Sequence, residues 1–371
     1  MEIYFFTLVV LLLFSVVELR FDLTEYQYNS MTIFVYCLFV FQLGFRWQTG
    51  TDWVSYLDHY NEIVSFTDIN TTRTGFEKGY SLFVLVIKYF SNNYTVFLII
   101  HSSLFYYFIF NAFKKFSPFL FISLLVFYAT SIGTWGANRQ FIALGICFFA
   151  LQYISDKNAL KFFALIALAT TFHSTAILFS VFYFFDRDIK QSVIISTLLI
   201  CAIIGKTNLP YSVFSYAGGQ IGGMGKTKAL LYIQRSTEAS IKNQLSIFGL
   251  IRRLIYLAIF MLNYNFLAER LPYYKILFNG FIFGLIIYFL FSSTLTIMVN
   301  RGSLYFIFLE GLLISCQLLV LNSRVERGYL SVLLFIVSIF FLLQSISGYE
   351  DLFVPYKGVY INTGFYRFRL E

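Results

Sequence analysis

Hydrophobic runs follow one another from end to end of the chain, and the polar stretches between them are short. The runs cover 3–19, 31–45, 79–90, 94–113, 119–134, 141–154, 160–172, 175–185, 192–204, 247–262, 276–298, 304–321 and 330–346. An apolar stretch of about 20 residues crosses a bilayer as a helix. The pattern therefore predicts an all-α, polytopic integral membrane protein. Three runs are short for a full span: 79–90 and the pair on either side of His173. The expectation is about 12 transmembrane helices plus a re-entrant or half-length helix at 79–90. These form a single transmembrane domain over 1–371, with outward-facing loops building the site. The first run ends at Val17-Glu18-Leu19-Arg20 without a small-residue cleavage site, so it reads as a membrane helix and not as a signal peptide.

Composition agrees with this picture. The chain is 58% hydrophobic and 12% charged, against about 25% charged in soluble domains, and its mean hydropathy is +0.73. The net charge of +8 could suggest nucleic acid, but Lys and Arg lie in short connections between runs. Positive-inside topology and anionic lipid head groups explain them instead. Cys37, Cys147, Cys201 and Cys316 all fall within apolar runs without C-x-x-C spacing and read as packing residues.

Charge also sets the expected orientation. Lys114-Lys115, Lys157 with Lys161, Arg187 with Lys190, Arg270 with Lys275, and Arg324 with Arg327 occupy alternate connections, which the charge rule assigns to the cytoplasm. The outward segments are then 131–139, the His173 break, the loop 206–246, 298–301 and the tail 347–371. The loop 46–78 joins them only if the 79–90 run does not cross. One loop pulls the other way: 206–246 carries five Lys or Arg against the single acid Glu238. Long loops obey the charge rule poorly, and a basic outer loop suits an anionic ligand.

Ionisable residues beside hydrocarbon cost roughly 2.5–3.5 kcal/mol each on insertion scales, so they need a partner or a task. Those expected on the outer side are Arg46, Asp52, Glu77, Arg139, His173, Arg252, Arg253 and Arg301. Several arginines converging without nucleic acid suggest a multiply charged anion, because the guanidinium fork matches phosphate oxygens. A lipid-borne diphosphate fits: it sits at the membrane surface, and arginines that hold it also stabilise its departure. A carboxylate nearby could take a proton from a sugar hydroxyl. Asp52 is the first choice for that base, then Glu77 and His173. Trp47, Trp53, Tyr56 and Trp135 offer rings for sugar faces.

Each residue has a plainer reading. Arg46 can snorkel from a helix end. Asp52 can cap the helix that begins at Trp53. Arg139 can be an interfacial anchor, His173 a hydrogen-bonding partner across a helix pair, and Arg301 an anchor at a helix start. His59 and His101 read as structural. Gly222-Gly223-Met224-Gly225-Lys226-Thr227 resembles a phosphate loop, but Gln220 stands where the motif needs glycine and no strand precedes it. It reads as a glycine-rich loop over substrate. No His, Cys and carboxylate spacing suits a metal.

Taken together, these motifs resemble the EpsG/Wzy-type family of bacterial polysaccharide polymerases. The resemblance rests on Arg46, Gly50, Asp52 and Tyr56 as R-x-x-x-G-x-D with a following Tyr, then on Glu77-Lys78-Gly79-Tyr80. It continues through Arg139-Gln140 opening a helix, Phe172-His173-Ser174 at a break, Arg301 with Tyr305 at a late helix start, and Pro355-Tyr356-Lys357 in the tail. The resemblance implies an inner-membrane glycosyltransferase, with its active site facing the periplasm, that makes O-antigen or a similar surface polysaccharide. Its donor and acceptor would be undecaprenyl-diphosphate-linked oligosaccharides, with no cofactor and no metal. Membrane lipids and a chain-length regulator protein are the further partners it implies, and it adds Tyr305 and Lys357 to the substrate-binding candidates. The rival readings are a flippase for lipid-linked oligosaccharide, an O-antigen ligase-type transferase and a membrane acyltransferase.

Overall fold

In the computed structural model, residues 1–220 and 247–367 are described, and all regular structure among them is helical. The helices are α1 Glu2–Arg20, α2 Glu25–Gly44, α3 Trp53–Glu62, α4 Lys78–Phe90, α5 Tyr94–Phe116, α6 Leu120–Ser131, α7 Asn138–Ala150, α8 Gln152–Ser155 and α9 Ala159–Phe172. After a 3-10 segment, Ser174–Phe184, come α10 Gln191–Gly205, α11 Leu209–Gln220, α12 Ile247–Leu262, α13 Tyr264–Arg270 and α14 Tyr274–Phe291. Short helices α15 Thr296–Gly302, α16 Leu304–Ile307 and α17 Leu309–Gln317 follow, then α18 Arg324–Ile346 and α19 Glu350–Phe353.

Four of these helices are long and apolar enough to cross a membrane, or up to six if each of two bent pairs counts as one span. The expected count of about twelve is therefore not reached by length and composition among the described residues. Apolar runs do not register backbone breaks. The 119–134 run changes from α to 3-10 at Ile132, and the 304–321 run is cut into α16, α17 and a closing 3-10 turn, Leu318–Val320. The segment expected as loop 206–246 opens with helix α11. Its remainder, including the glycine-rich stretch Gly222–Thr227, lies outside the described residues.

The chain divides into two units, Met1–Ser180 with Ile314–Glu371, and Val181–Leu313. In the first, α2 packs on α5, α5 on α7 and α7 on α9, while α1, α6 and α18 pack on one another. Local chemistry starts several of these helices. Thr24 and Gln27 form a capping box for α2, and Ser323 and Glu326 form one for α18. Helix α6 has no cap of its own. The Glu18 carboxylate of α1 accepts from Leu120 N at 2.9 Å and Phe121 N at 3.1 Å, satisfying two amides at its start.

The two ends of this unit differ in charge. At the far end of α1, Arg324 bonds Asp22 at 2.8 Å and the Arg20 carbonyl at 2.9 Å, Lys114 bonds Asn29 at 3.1 Å, and Lys115 lies 3.8 Å from Asp156. At the near end, Tyr4 Oη donates to Phe353 O at 3.1 Å, where the tail meets the 46–52 loop. Helix α4 has 13 residues, about 20 Å at 1.5 Å per residue. It starts beside Arg139 and ends where Lys88 Nζ donates to Tyr60 O and Ile63 O at 2.8 and 2.7 Å. Both ends of α4 thus touch residues of the 46–78 loop or their partners. The 46–78 loop accordingly shares the near end with Arg139, the His173 break and the tail.

In the second unit, α10 and α12 pack on α14, which also contacts α15 and α16. Gly205 in α10 lies so close to α14 that an added Cβ would meet Phe289 O at 1.9 Å.

Candidate functional site

The near end of the first unit is built by a backbone clamp. Where α2 stops, Arg46 forms an isolated antiparallel bridge with Gly358. Trp47 N donates to Lys357 O at 2.9 Å and Val359 N to Phe45 O at 2.9 Å. Thr49 Oγ1 donates to Lys357 O at 2.9 Å and accepts from Lys357 N at 3.1 Å. Gly50 N then reaches Leu352 O at 3.1 Å, and Thr51 N reaches Trp135 O at 2.9 Å. The last contact needs glycine on both sides. Gly50 has φ +105° and an added Cβ would lie 2.5 Å from Trp135 O; Gly136 has φ +118° and its Cβ would lie 2.8 Å from Thr51 N. Two loops distant in sequence therefore meet through bare backbone.

Beneath the clamp lies Arg46, 1% exposed. Its Nη2 donates to Asn138 Oδ1 at 2.7 Å, and its guanidinium carbon sits 5.8 Å from the Trp53 ring centroid. Nε and Nη1 reach no acceptor among the described residues. A side chain this enclosed is not snorkelling to water. It holds Asn138 from one side while His101 Nε2 bonds the Asn138 carbonyl at 2.8 Å from the other. Asn138 opens α7, so the two bonds fix the start of the helix that carries Arg139.

Arg139 is the hub of the next layer. Its backbone N and its Nε both donate to Tyr56 Oη at 3.3 Å, so the phenol caps the first turn of α7. Its Nη1 donates to Glu77 Oε2, forming an ion pair whose side chains are 15% and 12% exposed. The guanidinium also lies 3.8 Å from the Phe76 ring centroid. Glu77 accepts in turn from Ser174 N at 3.3 Å, one residue beyond the His173 break. Arg139 is therefore a paired, partly enclosed cation and not a lone interfacial anchor.

Asp52 stands at the N-cap position of α3 but makes no side-chain capping bond, and it is exposed. It precedes Tyr56 by four residues, one helical turn from the phenol that touches Arg139. His173 is buried, with Nδ1 2.7 Å from Thr175 Oγ1. Trp135 is fully buried, edge-on to Tyr4 at 5.9 Å, so its ring presents no open face for a sugar. Lys357 sends its Nζ to Gln48 Oε1 at 2.6 Å. Gln48 has φ +49°, a left-handed conformation that a non-glycine residue adopts only when its surroundings hold it.

His59 ties α3 to α4. Its Nδ1 is 2.7 Å from Thr74 Oγ1 and its Nε2 is 3.1 Å from Ser81 Oγ. Burial, helped by the Arg139 charge, lowers its pKa to about 4, so the ring stays neutral at ordinary pH.

The second unit carries the remaining candidates. Arg252 Nη2 lies 3.5 Å from Glu310 Oε2, a carboxylate that is 2% exposed. Arg253 donates to Gly249 O at 2.9 Å and stacks 4.2 Å from the Tyr288 ring centroid. Arg301 falls in the last turn of α15, not at a helix start, and the buried Tyr305 belongs to the separate helix α16. The segment 298–301, expected as a connection, is helical because α15 opens at Thr296.

Of the residues the sequence groups, Arg46, Asp52, Tyr56, Glu77, Trp135, Arg139, His173 and Lys357 lie in the first unit, whereas Arg252, Arg253, Arg301 and Tyr305 lie in the second. Sequence reasoning missed Asn138, His101 and Ser174 as partners. Their signal was faint: a polar Asn directly before Arg139, and a His within an apolar run.

Fold and site together define a multi-pass helical membrane protein with a cluster of arginine, carboxylate and aromatic side chains at one end of a helical unit. Residues 29–358 match the EpsG family, so the chain belongs to that family, which is related to Wzy-type polysaccharide polymerases. No curated protein and no solved structure matches the chain.

Proposed function

We propose that this protein joins undecaprenyl-diphosphate-linked oligosaccharide repeat units into O-antigen or a similar surface polysaccharide, at the periplasmic face of the inner membrane. The observation that carries the reading is Arg139, held against Glu77 and against Tyr56, a residue one helical turn from the exposed Asp52. Orientation is supported by charge: the basic connections gather at the opposite end of this unit, the end that the charge rule places in the cytoplasm.

In the reaction, Asp52 takes the proton of an acceptor hydroxyl as its oxygen attacks the anomeric carbon of the donor. The bond from that carbon to the lipid diphosphate breaks, and the diphosphate leaves with its charge opposed by Arg139. Glu77 orients Arg139, and Arg46 works from below through Asn138. His173 stands one residue from the amide that Glu77 accepts and positions that backbone. Lys357 serves the sugar side, and Tyr56 holds Arg139 in place. A chain-length regulator is proposed as a protein partner.

The test is the surface glycan profile of a deletion strain carrying the restored gene or its Arg139→Ala variant. Polymer ladders with the intact gene, and core bearing a single repeat with the variant at normal expression, are expected. Bare core in the deletion strain points to a flippase or ligase instead. A normal ladder from Arg139→Ala overturns the assignment of that residue.

A further inference from the structure

An open groove of about 300 Å³ lies beside the clamp, lined by Trp47, Thr95, Lys357, Gly358, Val359 and Thr363. Its volume is within the range of roughly 300–1,000 Å³ usual for small-molecule sites. Trp53 and Trp135 are buried, whereas Trp47 is partly exposed at this groove. Trp47 is braced edge-on against Trp53 at 5.3 Å between centroids. Across from it the Lys357 ammonium is held by Gln48, a residue kept in a left-handed backbone conformation. Strain of that sort persists where neighbouring contacts over-determine it, and it gathers at ligand sites.

The groove is therefore a rigid indole beside Lys357, whose ammonium is tied to Gln48, and two threonines. That combination matches a pyranose. The C–H face of a sugar ring is apolar with slightly positive hydrogens, and it packs on the negative face of an indole. Its rim of hydroxyls needs hydrogen-bonding groups around the ring. A purely apolar ligand would leave the polar groups that line the groove unanswered, and a compact phosphate would leave Trp47 uncovered.

We infer that the Trp47–Lys357 groove is a saccharide subsite that holds a sugar residue of an oligosaccharide chain beside the Arg139 cluster. The inference rests on the polymerase reading and adds to it a binding surface separate from the diphosphate contacts. The connection runs through α3: Trp47 packs on Trp53, and Tyr56 on the next turn touches Arg139. A chain seated in the groove would be held by contacts that do not depend on the reacting bond. Occupancy then governs how long the chain stays bound between additions, and so the length it reaches.

The experiment uses the full chain in lipid nanodiscs, titrated with lipid-free oligosaccharides of one to three repeats released by mild acid from the host's own surface polysaccharide. Tryptophan emission is the readout. The chain holds three Trp, and Trp47 is the one partly exposed. A saturable change is expected, with dextran giving none. Trp47→Ala should weaken binding, followed by calorimetry, about tenfold. Thr363→Arg, at the exposed rim away from the packed core, should do the same without disturbing folding. In cells both variants should give ladders with shorter modal length, whereas Arg139→Ala gives none. No saturable response with the intact protein, an equal response to dextran, or unaltered affinity in both variants overturns the subsite. Those outcomes leave the ladder test of polymerase function standing. Saccharide binding by a protein whose deletion leaves ladders intact would instead refute the polymerase reading alone.

Discussion

Glu77 can be either the base or the group that aims Arg139, and a pair of substitutions separates the two. Its carboxylate takes Arg139 Nη1 on one oxygen and Ser174 N on the other, with little solvent on either side chain. Breaking a buried pair by removing one partner costs about 3–5 kcal/mol. Some water reaches both groups here, so Glu77→Ala should cost about 3 kcal/mol and lower the apparent melting temperature by on the order of 5–10 °C. Glu77→Gln keeps an acceptor of the same shape for Arg139 or Ser174 and loses only the charge. Charge-assisted bonds are roughly twice as strong as neutral ones, which sets that loss at about 1–2 kcal/mol. A positioning Glu77 therefore predicts a graded series: reduced but persistent ladders from Gln, and none from Ala. The assays are melting of purified protein in detergent and ladder length in the complemented deletion strain. A Gln variant that melts like the intact protein yet stops at a single repeat would refute the reasoning, because Glu77 would then move the proton itself.

Two further predictions concern folding. The neutral His59 stabilises the α3–α4 pair in full above pH about 6.5 and loses that contribution as pH falls towards about 4, since the unfolded chain takes up a proton first. A pKa lowered from 6.5 to about 4 corresponds to about 3 kcal/mol at the bottom of that window. Melting should drop between pH 7.5 and 4.5, and His59→Asn should flatten the difference; an equal pH slope in both proteins counts against it. In the second unit, Arg252→Leu leaves Glu310 as an enclosed carboxylate and should destabilise by about 3 kcal/mol. Adding Glu310→Gln should recover a good part of the loss, and strictly additive effects would show that the 3.5 Å pair does not couple.

The class of this protein was readable from hydropathy alone, because a bilayer imposes its length on every crossing element. The short 79–90 run was legible as a short helix, and α4 has 13 residues, with Glu77 at its start paired to Arg139 and Lys88 near its end bonded to the end of α3. The number of spans was not. A 3-10 turn at Ile132, or the cuts in the 304–321 run, leaves the hydrophobic pattern intact while dividing the helix. Site residues were legible as types. Arg46 stood out as a charge at a helix end, but its depth depends on Gly358 and Asn138, whose approach is set by packing across the whole first unit. Trp135 looked available and is sealed against Tyr4 for the same reason.

The clamp between the 46–51 loop and residues 352–359 also bears on the order of synthesis. Ribosomes deliver the loop some three hundred residues before the strand-like stretch that secures it. During that interval Gly50, Thr49 and Trp47 have no carbonyl from the tail to bond, and Arg46 has no Gly358 beside it. A nascent chain can thus insert its early helices while the 46–51 loop still lacks its partners from the tail. The clamp is therefore completed last, when the closing segment docks. A bulky fusion placed shortly after Lys357 should keep the closing segment from docking and shorten or abolish ladders at normal expression.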